Sequence, residues 1–220
     1  MSTVARRPDN TEWLERARTH LRGADPVLAG MIDKRPDFDP RAWLAELPRM
    51  DLFGALLFQV AGQQLSVAAT RRILARIEDL FGGQLPEPDQ LLAVDPASLR
   101  QAGLSWRKVG TLRDIAERMT DGRIDAQAID GLADEEIIAL LTEIPGIGPW
   151  TAQGALILAL DREDVVLPGD LALRKAVRTA YRLDHLPAPD EVLTIAEPWR
   201  PYRSLATTYL FAAAYDAGTG

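Results

Sequence analysis

The sequence contains no cysteine, only two histidines and few aromatic residues, which make up 6% of its 220 residues. The absence of cysteine excludes disulfides, thiolate zinc sites, iron–sulfur clusters and a cysteine nucleophile. Long apolar runs are also missing: ALILAL is too short to span a bilayer, and MSTVARRPDN lacks the apolar core of a signal peptide. We therefore expect a cytoplasmic protein, in a reducing compartment, that has no contact with a membrane.

Basic residues are fewer than acidic ones, 25 against 32, which gives a formal net charge of -7. A protein that binds nucleic acid through a broad basic surface usually shows clustered lysine and arginine. Arginines do cluster locally, in TRRILAR, SWRKVGTLR, LRKAVRTAYR and WRPYRS. Taken singly, each cluster is more typical of a solvated helix face than of a DNA contact.

Apolar residues are plentiful and follow helical spacing nearly everywhere. Hydrophobic residues make up 47% of the chain, enough to bury a core as one large domain or two small lobes. Leu52, Leu56 and Val60 illustrate the spacing, and strand-like alternation is confined to the short run DVVLP. The pattern predicts an all-α protein of about ten helices joined by short turns rich in proline and glycine.

Three helix starts can be predicted from single residues. Ser66 is a favourable N-cap, and Pro149 suits the first position of a helix, where its missing N–H costs nothing. A further helix is predicted to open at Asp134, whose first turn is acidic and so complements the helix dipole. The helices that follow Asp134 and Gly148 enclose the most informative segment of the chain.

This segment is IPGIG, residues 144 to 148. Gly146 and Gly148 permit positive φ and carry no Cβ, so successive amide N–H groups can converge beside a helix N-terminus. Such a turn binds a phosphate without any basic side chain, which answers the objection from net charge. A tight turn between two helices with no ligand is an equally good interpretation of the glycines alone.

The surrounding sequence narrows this choice by resemblance. LTEIPGIGPWTA resembles the helix–hairpin–helix of the HhH-GPD DNA glycosylase superfamily, and VVLPGDLALRKA resembles the Gly/Pro-rich loop and aspartate that follow it. VAGQQLSVAAT, GLSWRKVGTLRDIA and PWRPYRSLATTYLF resemble segments of the 3-methyladenine DNA glycosylase II (AlkA-type) branch. Together the motifs cover residues 51 to 215, most of the chain.

The resemblance implies a fold as well as a function. We expect the two-lobed helical fold in its compact form, without the N-terminal β-rich domain of longer AlkA-type proteins. The central lobe would comprise residues 50 to 130, approximately. Residues 1 to 49 and 131 to 220 would form the lobe that carries the hairpin and the aspartate.

Asp170 is the catalytic carboxylate that the resemblance implies. Cleavage of an N-glycosidic bond develops oxocarbenium character on the deoxyribose, which a fixed anion stabilises while it orients or deprotonates water. Asp170 is also well placed to N-cap the helix that follows, and both roles are compatible. His20 and His185 lie outside every motif and are expected to be surface or structural residues.

Trp150 bears on the type of reaction. Bifunctional members of the superfamily carry a lysine at this place, whose amine attacks the sugar. Because tryptophan cannot do so, we expect a monofunctional enzyme that uses water and leaves an abasic site. Its ring would contact a flipped, cationic alkylated purine, although a role as a core aromatic is the alternative.

The resemblance assigns the remaining site residues. The base pocket would also include Phe211, Leu171 and Phe53, and with Gly154 and Leu171 at places where aromatic residues are expected it should be wider and less aromatic. Gln64, flanked by Gln63 and Leu65, would fill the gap left by the flipped base. The DNA phosphate would be held by the backbone of Gly146, Ile147, Gly148, Trp150 and Thr151.

The expected partner is double-stranded DNA with damaged bases, and the protein is expected to be a monomer. No cofactor is expected for catalysis, and a structural Na⁺, K⁺ or Mg²⁺ ion would be held by the main-chain carbonyls of Thr142, Ile144 and Ile147. The preferred lesion stays open, since ethenoadenine and oxidised or deaminated bases would also suit such an enzyme. The sequence is compatible, too, with a noncatalytic hairpin module that binds DNA and with an unrelated helical interaction protein.

Overall fold

The computed structural model describes residues 11 to 39 and 50 to 216. Within these ranges the chain is helical, with twelve α-helices, two short 3₁₀ segments and no strand, so the predicted all-α fold is confirmed. DVVLP forms irregular backbone. Residues 1 to 10 and 40 to 49, which the prediction gave to the second lobe, lie outside the described residues. None of the described helices is both long enough and apolar enough to cross a membrane.

The described chain divides into two compact units. We call residues 50 to 160 the hairpin unit, and residues 11 to 39 together with 161 to 216 the aspartate unit. The division differs from the predicted lobes, because residues 131 to 160 group with 50 to 130 and not with the segment that contains Asp170. The physical reason is that the helix after the hairpin packs on the central helix of the hairpin unit, and the helix before the hairpin packs on the helix after it.

The hairpin unit consists of seven α-helices and one 3₁₀ turn. They are α3 (Leu52–Gly62), α4 (Val67–Leu80), α5 (Pro88–Ala93), α6 (Pro96–Gln101), α7 (Trp106–Thr120), the 3₁₀ turn Ile129–Gly131, α8 (Asp134–Thr142) and α9 (Pro149–Leu158). Helix α3 lies at the centre and packs against α4, α7 and α9. Nine of its eleven residues are buried, because a helix that is apolar on all sides can only lie inside the protein.

The helix starts predicted in this unit are confirmed. Ser66 caps α4 through its hydroxyl, which accepts the amide of Ala69 at 3.3 Å, and Pro149 is the first residue of α9. Helix α8 begins at Asp134, and the carboxylate of Glu136 accepts the amide of Ala133 at 2.9 Å. Local sequence therefore fixes where the helices beside the hairpin begin.

The aspartate unit contains the remaining five α-helices and one 3₁₀ turn. They are α1 (Thr11–Ala24), α2 (Pro26–Asp33), α10 (Leu171–Ala180), α11 (Pro189–Ala196), the 3₁₀ turn Glu197–Trp199 and α12 (Arg203–Asp216). Helix α12 packs against α2 and α10, and the 3₁₀ turn packs against α1 and α11. The two parts of the unit, far apart in sequence, thereby share one core.

A buried carboxylate ties these two parts together. Asp25 caps α2, where its Oδ1 accepts the amides of Val27 at 2.8 Å and Leu28 at 3.2 Å. Its Oδ2 accepts the indole N–H of Trp199 at 2.9 Å and the hydroxyl of Tyr181. Burial and the adjacent carboxylate raise the pKa of the Tyr181 hydroxyl, so it remains a donor to Asp25 at neutral pH.

Candidate functional site

The hairpin is a tight turn, pinned to the core, between α8 and α9. Ile144 and Ile147 are buried, and the amide of Ile147 donates to the carbonyl of Ile144 at 3.0 Å. Gly146 has a φ of 98°, and a Cβ there would overlap the hydroxyl of Thr111 on α7. That hydroxyl donates to the carbonyl of Pro145 at 2.8 Å. Only glycine fits at position 146, because both the backbone angle and the neighbouring helix exclude a side chain.

The start of α9 leaves backbone amides at the surface of the hairpin. Gly148 is the N-cap and provides no side-chain acceptor, and Gly148, Pro149 and Trp150 are exposed. The first amides of a helix have no intrahelical acceptor, and the helix dipole adds positive potential at this end. The start of α9 therefore exposes N–H donors and positive potential, which suit an anion.

Gln63 connects this hairpin to the end of α3. Its side-chain Nε2 donates to the carbonyl of Gly146 at 3.0 Å and to the hydroxyl of Thr151 at 3.1 Å. Gln63 was predicted to flank the residue that fills the gap in the DNA stack. The structure gives its side chain a different role, since both hydrogen bonds hold the hairpin and α3 together.

Lys108 fixes the same end of α3 from another side. Its Nζ donates to the carbonyls of Ala61 and Gln63, at 2.9 Å each, and so satisfies two carbonyls that the end of the helix leaves without an intrahelical donor. Burial lowers the pKa of the Lys108 ammonium group. Sequence analysis placed Lys108 in a solvated basic cluster, and the structure shows that it is a structural residue.

The turn that follows α3 carries Gln64, which was predicted to fill the gap in the DNA stack, and Leu65, which was predicted to flank it. Gln64 is exposed and adopts a φ of 61°, which is uncommon for a residue with a side chain. Leu65 is 45% exposed. The turn thus presents one polar and one apolar side chain to solvent. Hydrogen bonds of Gln63 and Lys108 hold the end of α3 from which the turn begins.

Helix α9 presents a partly open face beside the hairpin. Trp150 is 38% exposed, and Gly154 follows one turn later on the same face. A wider pocket was expected here because Gly154 replaces an aromatic residue. The space is not empty, however, since the carboxamide of Gln59 on α3 occupies the position that a side chain at 154 would take.

Phe53 does not fit its predicted place in the base pocket. It is 1% exposed and is among the largest fully buried side chains of the protein. It lies on α3, whose surface is covered by neighbouring helices on nearly all sides. Phe53 is therefore a core residue of the hairpin unit in this structure.

Asp170 lies in the aspartate unit and caps α10. Its Oδ1 accepts the amide of Leu173 at 2.8 Å, and its own amide donates to the carbonyl of Leu167 at 3.0 Å. The carboxyl group is only partly exposed, and the adjacent Leu171 is 53% exposed. Phe211, also predicted for the base pocket, is half-buried on α12 of the same unit. The predicted N-cap role of Asp170 is confirmed.

The loop that leads to Asp170 is held by charged side chains. Arg203 donates to the carboxylate of Asp164 through Nε at 2.7 Å and to its carbonyl through Nη2 at 2.6 Å. Arg200 donates to the same carboxylate at 2.6 Å, and the hydroxyl of Ser204 donates to the carbonyl of Arg162 at 2.8 Å. Asp164 was missed by sequence analysis, although its acidic charge and the basic WRPYRS segment were the available signal.

The predicted cation site fits the hairpin chemically. Main-chain carbonyls follow one another where α8 ends at Thr142, and oxygen ligands suit Na⁺, K⁺ and Mg²⁺. The carbonyl of Ile144 accepts the amide of Ile147, which leaves one of its two lone pairs for an ion. Within the described part of the chain no cluster of histidine, cysteine, aspartate and glutamate could hold a metal. A cation at this hairpin would depend on backbone oxygens alone.

Comparison with known proteins covers most of the chain. The family model of the HhH-GPD superfamily of base excision DNA repair proteins matches residues 59–201. The chain is 32% identical over 200 residues to DNA-3-methyladenine glycosylase 1 of Schizosaccharomyces pombe, which covers 90% of this chain and 86% of that protein. It is 28% identical over 171 residues to DNA-3-methyladenine glycosylase 2 of Escherichia coli, covering 74% of this chain and 57% of that protein.

A solved structure agrees with these sequence matches. The Schizosaccharomyces pombe 3-methyladenine DNA glycosylase in complex with abasic DNA superposes with a TM-score of 0.81 at 32% identity. The alignment covers 91% of this chain and 97% of that chain. Similarity in both sequence and fold therefore extends over both units.

Proposed function

The chain belongs to the HhH-GPD superfamily of base excision DNA repair proteins, and on that premise we propose that it excises alkylated bases from DNA. The substrates are bases of the 3-methyladenine and 7-methylguanine type, and the reaction hydrolyses the N-glycosidic bond. The observation that carries this proposal is the 32% identity, over 90% of the chain, to a DNA-3-methyladenine glycosylase. The residues of both units give the reaction a physical basis.

Asp170 is the proposed catalytic carboxylate. It stands at the N-terminus of α10, where an amide donor and the helix dipole both favour a negative charge. A fixed carboxylate stabilises the oxocarbenium character that develops on the sugar, and it can accept a proton from the attacking water. An alkylated purine already carries positive charge, so it leaves without a strong general acid.

Water is the proposed nucleophile. Trp150 occupies the place where a lysine would form a covalent Schiff base, and an indole has no amine that could attack the sugar. The reaction would therefore stop at an abasic site and leave the strand intact. The partly exposed ring of Trp150 suits contact with a cationic base. Leu171 and Phe211 are further proposed base contacts.

The hairpin and the turn after α3 are the proposed DNA contacts. Backbone amides of Gly146, Gly148, Trp150 and Thr151 would bind one phosphate, which explains how an acidic chain holds DNA. The amide of Ile147, also predicted for this contact, already donates to the carbonyl of Ile144 and so shapes the turn. Gln64 and Leu65 would fill the gap left by the extruded nucleotide. Because these contacts need one copy of the chain, we propose that a monomer acts on double-stranded DNA, in the compartment that contains the chromosome.

A structural cation is proposed to bind at the hairpin, beside the phosphate. The carbonyls of Thr142, Ile144 and Ile147 would hold it, and Na⁺, K⁺ and Mg²⁺ are the candidates. Its charge would add to the potential of the hairpin, with no part in bond cleavage. Binding of abasic-site DNA with K⁺, with Mg²⁺ and with a bulky organic cation at equal ionic strength tests this, since a bound ion makes affinity depend on cation identity.

Single-turnover release of free base from methylated duplex DNA tests the proposed function. Wild-type protein should release 3-methyladenine or 7-methylguanine, with strand scission only after alkali. Asp170→Asn keeps a good N-cap residue, so the fold is retained, and we expect release to slow by roughly 10²-fold or more. Asp95→Asn is the matched control, since Asp95 caps α6 by accepting the amide of Ala97 at 3.0 Å.

Three outcomes would contradict the proposal in different ways. Equal rates for wild type and Asp170→Asn would remove the catalytic role of this residue. Binding of abasic-site DNA without release of either base would leave a glycosylase for another lesion or a noncatalytic hairpin module, which release from ethenoadenine, deaminated and oxidised DNA then separates. Scission without alkali would show a lyase step and exclude the monofunctional mechanism.

A further inference from the structure

Gln59 occupies an unusual position between two helices of the hairpin unit. It lies on α3, is only 8% exposed, and its carboxamide faces Gly154 of α9. A Cβ at position 154 would overlap the Nε2 and Cδ atoms of Gln59, so the two helices meet through a glycine and an amide. The carboxamide thus takes the space that a side chain at 154 would fill.

The carboxamide of Gln59 makes no hydrogen bond to a described residue, and its polar atoms keep some contact with solvent. Among the described residues no hydrogen bond reaches it, whereas Gln63, one turn later, makes two. The side chain as a whole is 8% exposed, and the small surface that it keeps includes the polar end of the amide. No described side chain uses its donor and its acceptor, so both are available to a polar ligand that enters the same space.

The direction of the carboxamide indicates where that ligand lies. Trp150 and Gly154 are one helical turn apart, so their side-chain positions are neighbours about 5–6 Å apart on the same face of α9. Gln59 fills the position of the missing side chain at 154 and therefore lies on the face that bears Trp150. A planar base in contact with the partly exposed Trp150 ring would have its edge within reach of this amide.

We propose that Gln59 determines the specificity of the base site by hydrogen bonding to the edge of the extruded base. The inference rests on the proposed function and on Trp150 as a base contact. A carboxamide offers one donor and one acceptor side by side, and this pair matches the N7 and N6 amino group of adenine. 3-Methyladenine keeps both groups. 7-Methylguanine carries a methyl group on N7, so the same amide can donate only to O6.

The structure therefore assigns to this protein a preference for alkylated adenine over 7-methylguanine. Gln59→Met tests it, because methionine matches the length of glutamine but has no amide. We expect single-turnover release of 3-methyladenine to fall about 10- to 100-fold, the loss of one bidentate contact, and release of 7-methylguanine to fall much less. The measured quantity is the ratio of the two rates on the same methylated DNA.

Two further readouts separate this role from space filling. Binding of abasic-site DNA should be unchanged in Gln59→Met, since that DNA has no base to read. Thermal stability should change little, because the substitution keeps the length of the side chain and removes no hydrogen bond to a described residue. An unchanged ratio of rates would overturn the inference, and so would an equal loss for both lesions.

A second variant tests the same inference by displacing the carboxamide of Gln59 instead of removing it. Gly154→Ala keeps Gln59 but displaces its carboxamide, since the new Cβ overlaps it. The same selective loss of 3-methyladenine release is expected, and full activity on both lesions would contradict the inference. Failure of the proposed function is recognised separately, because the wild-type protein would then release neither base. In that case the inference falls with it.

Discussion

The hairpin unit and the aspartate unit fix their loops by different chemistry. In the hairpin unit the side-chain hydrogen bonds to the turn come from neutral groups, the amide of Gln63 and the hydroxyl of Thr111. The turn also depends on Gly146, which no other residue could replace. In the aspartate unit the loop before Asp170 is held by an arginine–carboxylate cluster centred on Asp164. Both loops are held by side chains, but the short charged bonds are concentrated before Asp170. Beside the hairpin, Arg118 and Glu143 approach each other only to 3.7 Å.

The two loops differ in chemistry because the hairpin is proposed to bind a phosphate, whereas the loop before Asp170 is itself acidic. A phosphate approaching the hairpin would be repelled by a carboxylate and drawn away by a competing arginine, so neutral donors leave the backbone field undisturbed. The loop before Asp170 carries Asp161, Glu163 and Asp164 and needs cations nearby. Arg200 and Arg203 serve there as structural residues, which explains why basic clusters in the sequence overstate the charge that faces DNA.

The largest expected effect is the loss of the buried carboxylate of Asp25 in the aspartate unit. Asp25→Ala removes the acceptor of two amides, the Tyr181 hydroxyl and the Trp199 indole, and leaves buried donors unpaired. We expect the free energy of unfolding to fall by about 3–5 kcal/mol, measured by chemical denaturation. Asp33→Ala is the control, because its ion pair with Arg22 is exposed and should contribute about 1 kcal/mol or less. A loss below that level for Asp25→Ala would show that the unit does not depend on this carboxylate.

The next largest effect tests the close contact between Gly146 of the hairpin and Thr111 of α7. Gly146→Ala places a Cβ against the hydroxyl of Thr111 at a φ of 98°, and we expect a loss of about 2–3 kcal/mol. Gly148→Ala is the matched control in the same turn, since nothing lies within 4 Å of its Cβ and its φ is -101°. It should change stability by less than about 1 kcal/mol. Equal losses for both glycines would mean that general flexibility, and not the contact with α7, explains the requirement.

A smaller effect separates two adjacent glutamines. Gln63→Leu removes both hydrogen bonds to the hairpin, so we expect stability to fall by about 1–2 kcal/mol and binding of abasic-site DNA to weaken. Gln64→Ala should change stability by no more than about 0.5 kcal/mol, because the side chain is exposed. If Gln64→Ala proves the more damaging to the fold, the assignment of Gln63 as the structural residue is wrong.

The smallest effect is a pH response confined to the aspartate unit, which contains both histidines of the sequence. Hydrogen bonds to the carboxylates of Asp184 and Glu191 raise the pKa of His185. The protonated form is thus favoured in the folded state, and its stabilisation is complete below the unfolded pKa of about 6.5. It is lost as the pH rises through the higher folded pKa. The decline in melting temperature between pH 6 and 8 should be slight and should become smaller in His185→Gln. A decline of the same size in that variant would assign the response to other groups.

The sequence predicted what depends on neighbouring residues. Ser66, Pro149 and Asp170 begin their helices as expected, because an N-cap needs only the amides two or three positions away. Gln63 could not be assigned in this way, since its partners lie 83 and 88 positions along the chain. Phe53 was assigned to the base pocket by resemblance, and helical spacing could not correct this, because it does not show whether another helix will cover a residue.

The site itself was predicted by resemblance more than by physics. Two glycines in a turn were compatible with a simple connection between helices, and only the ordered motifs favoured a phosphate site. The structure adds contacts that no motif contains, above all Lys108 below the α3 terminus and Gln59 against Gly154. Each joins helices from distant parts of the chain, so neither could be derived from local sequence.

The close fit of Gln59 against Gly154 also constrains the order in which mutations can accumulate. A larger residue at 154 meets the carboxamide at once, so this change is harmful while glutamine occupies position 59. A smaller residue at 59 opens a gap but creates no overlap, and it makes room for a side chain at 154. A path toward an aromatic base pocket must therefore change position 59 before position 154, and the reverse order passes through a damaged intermediate.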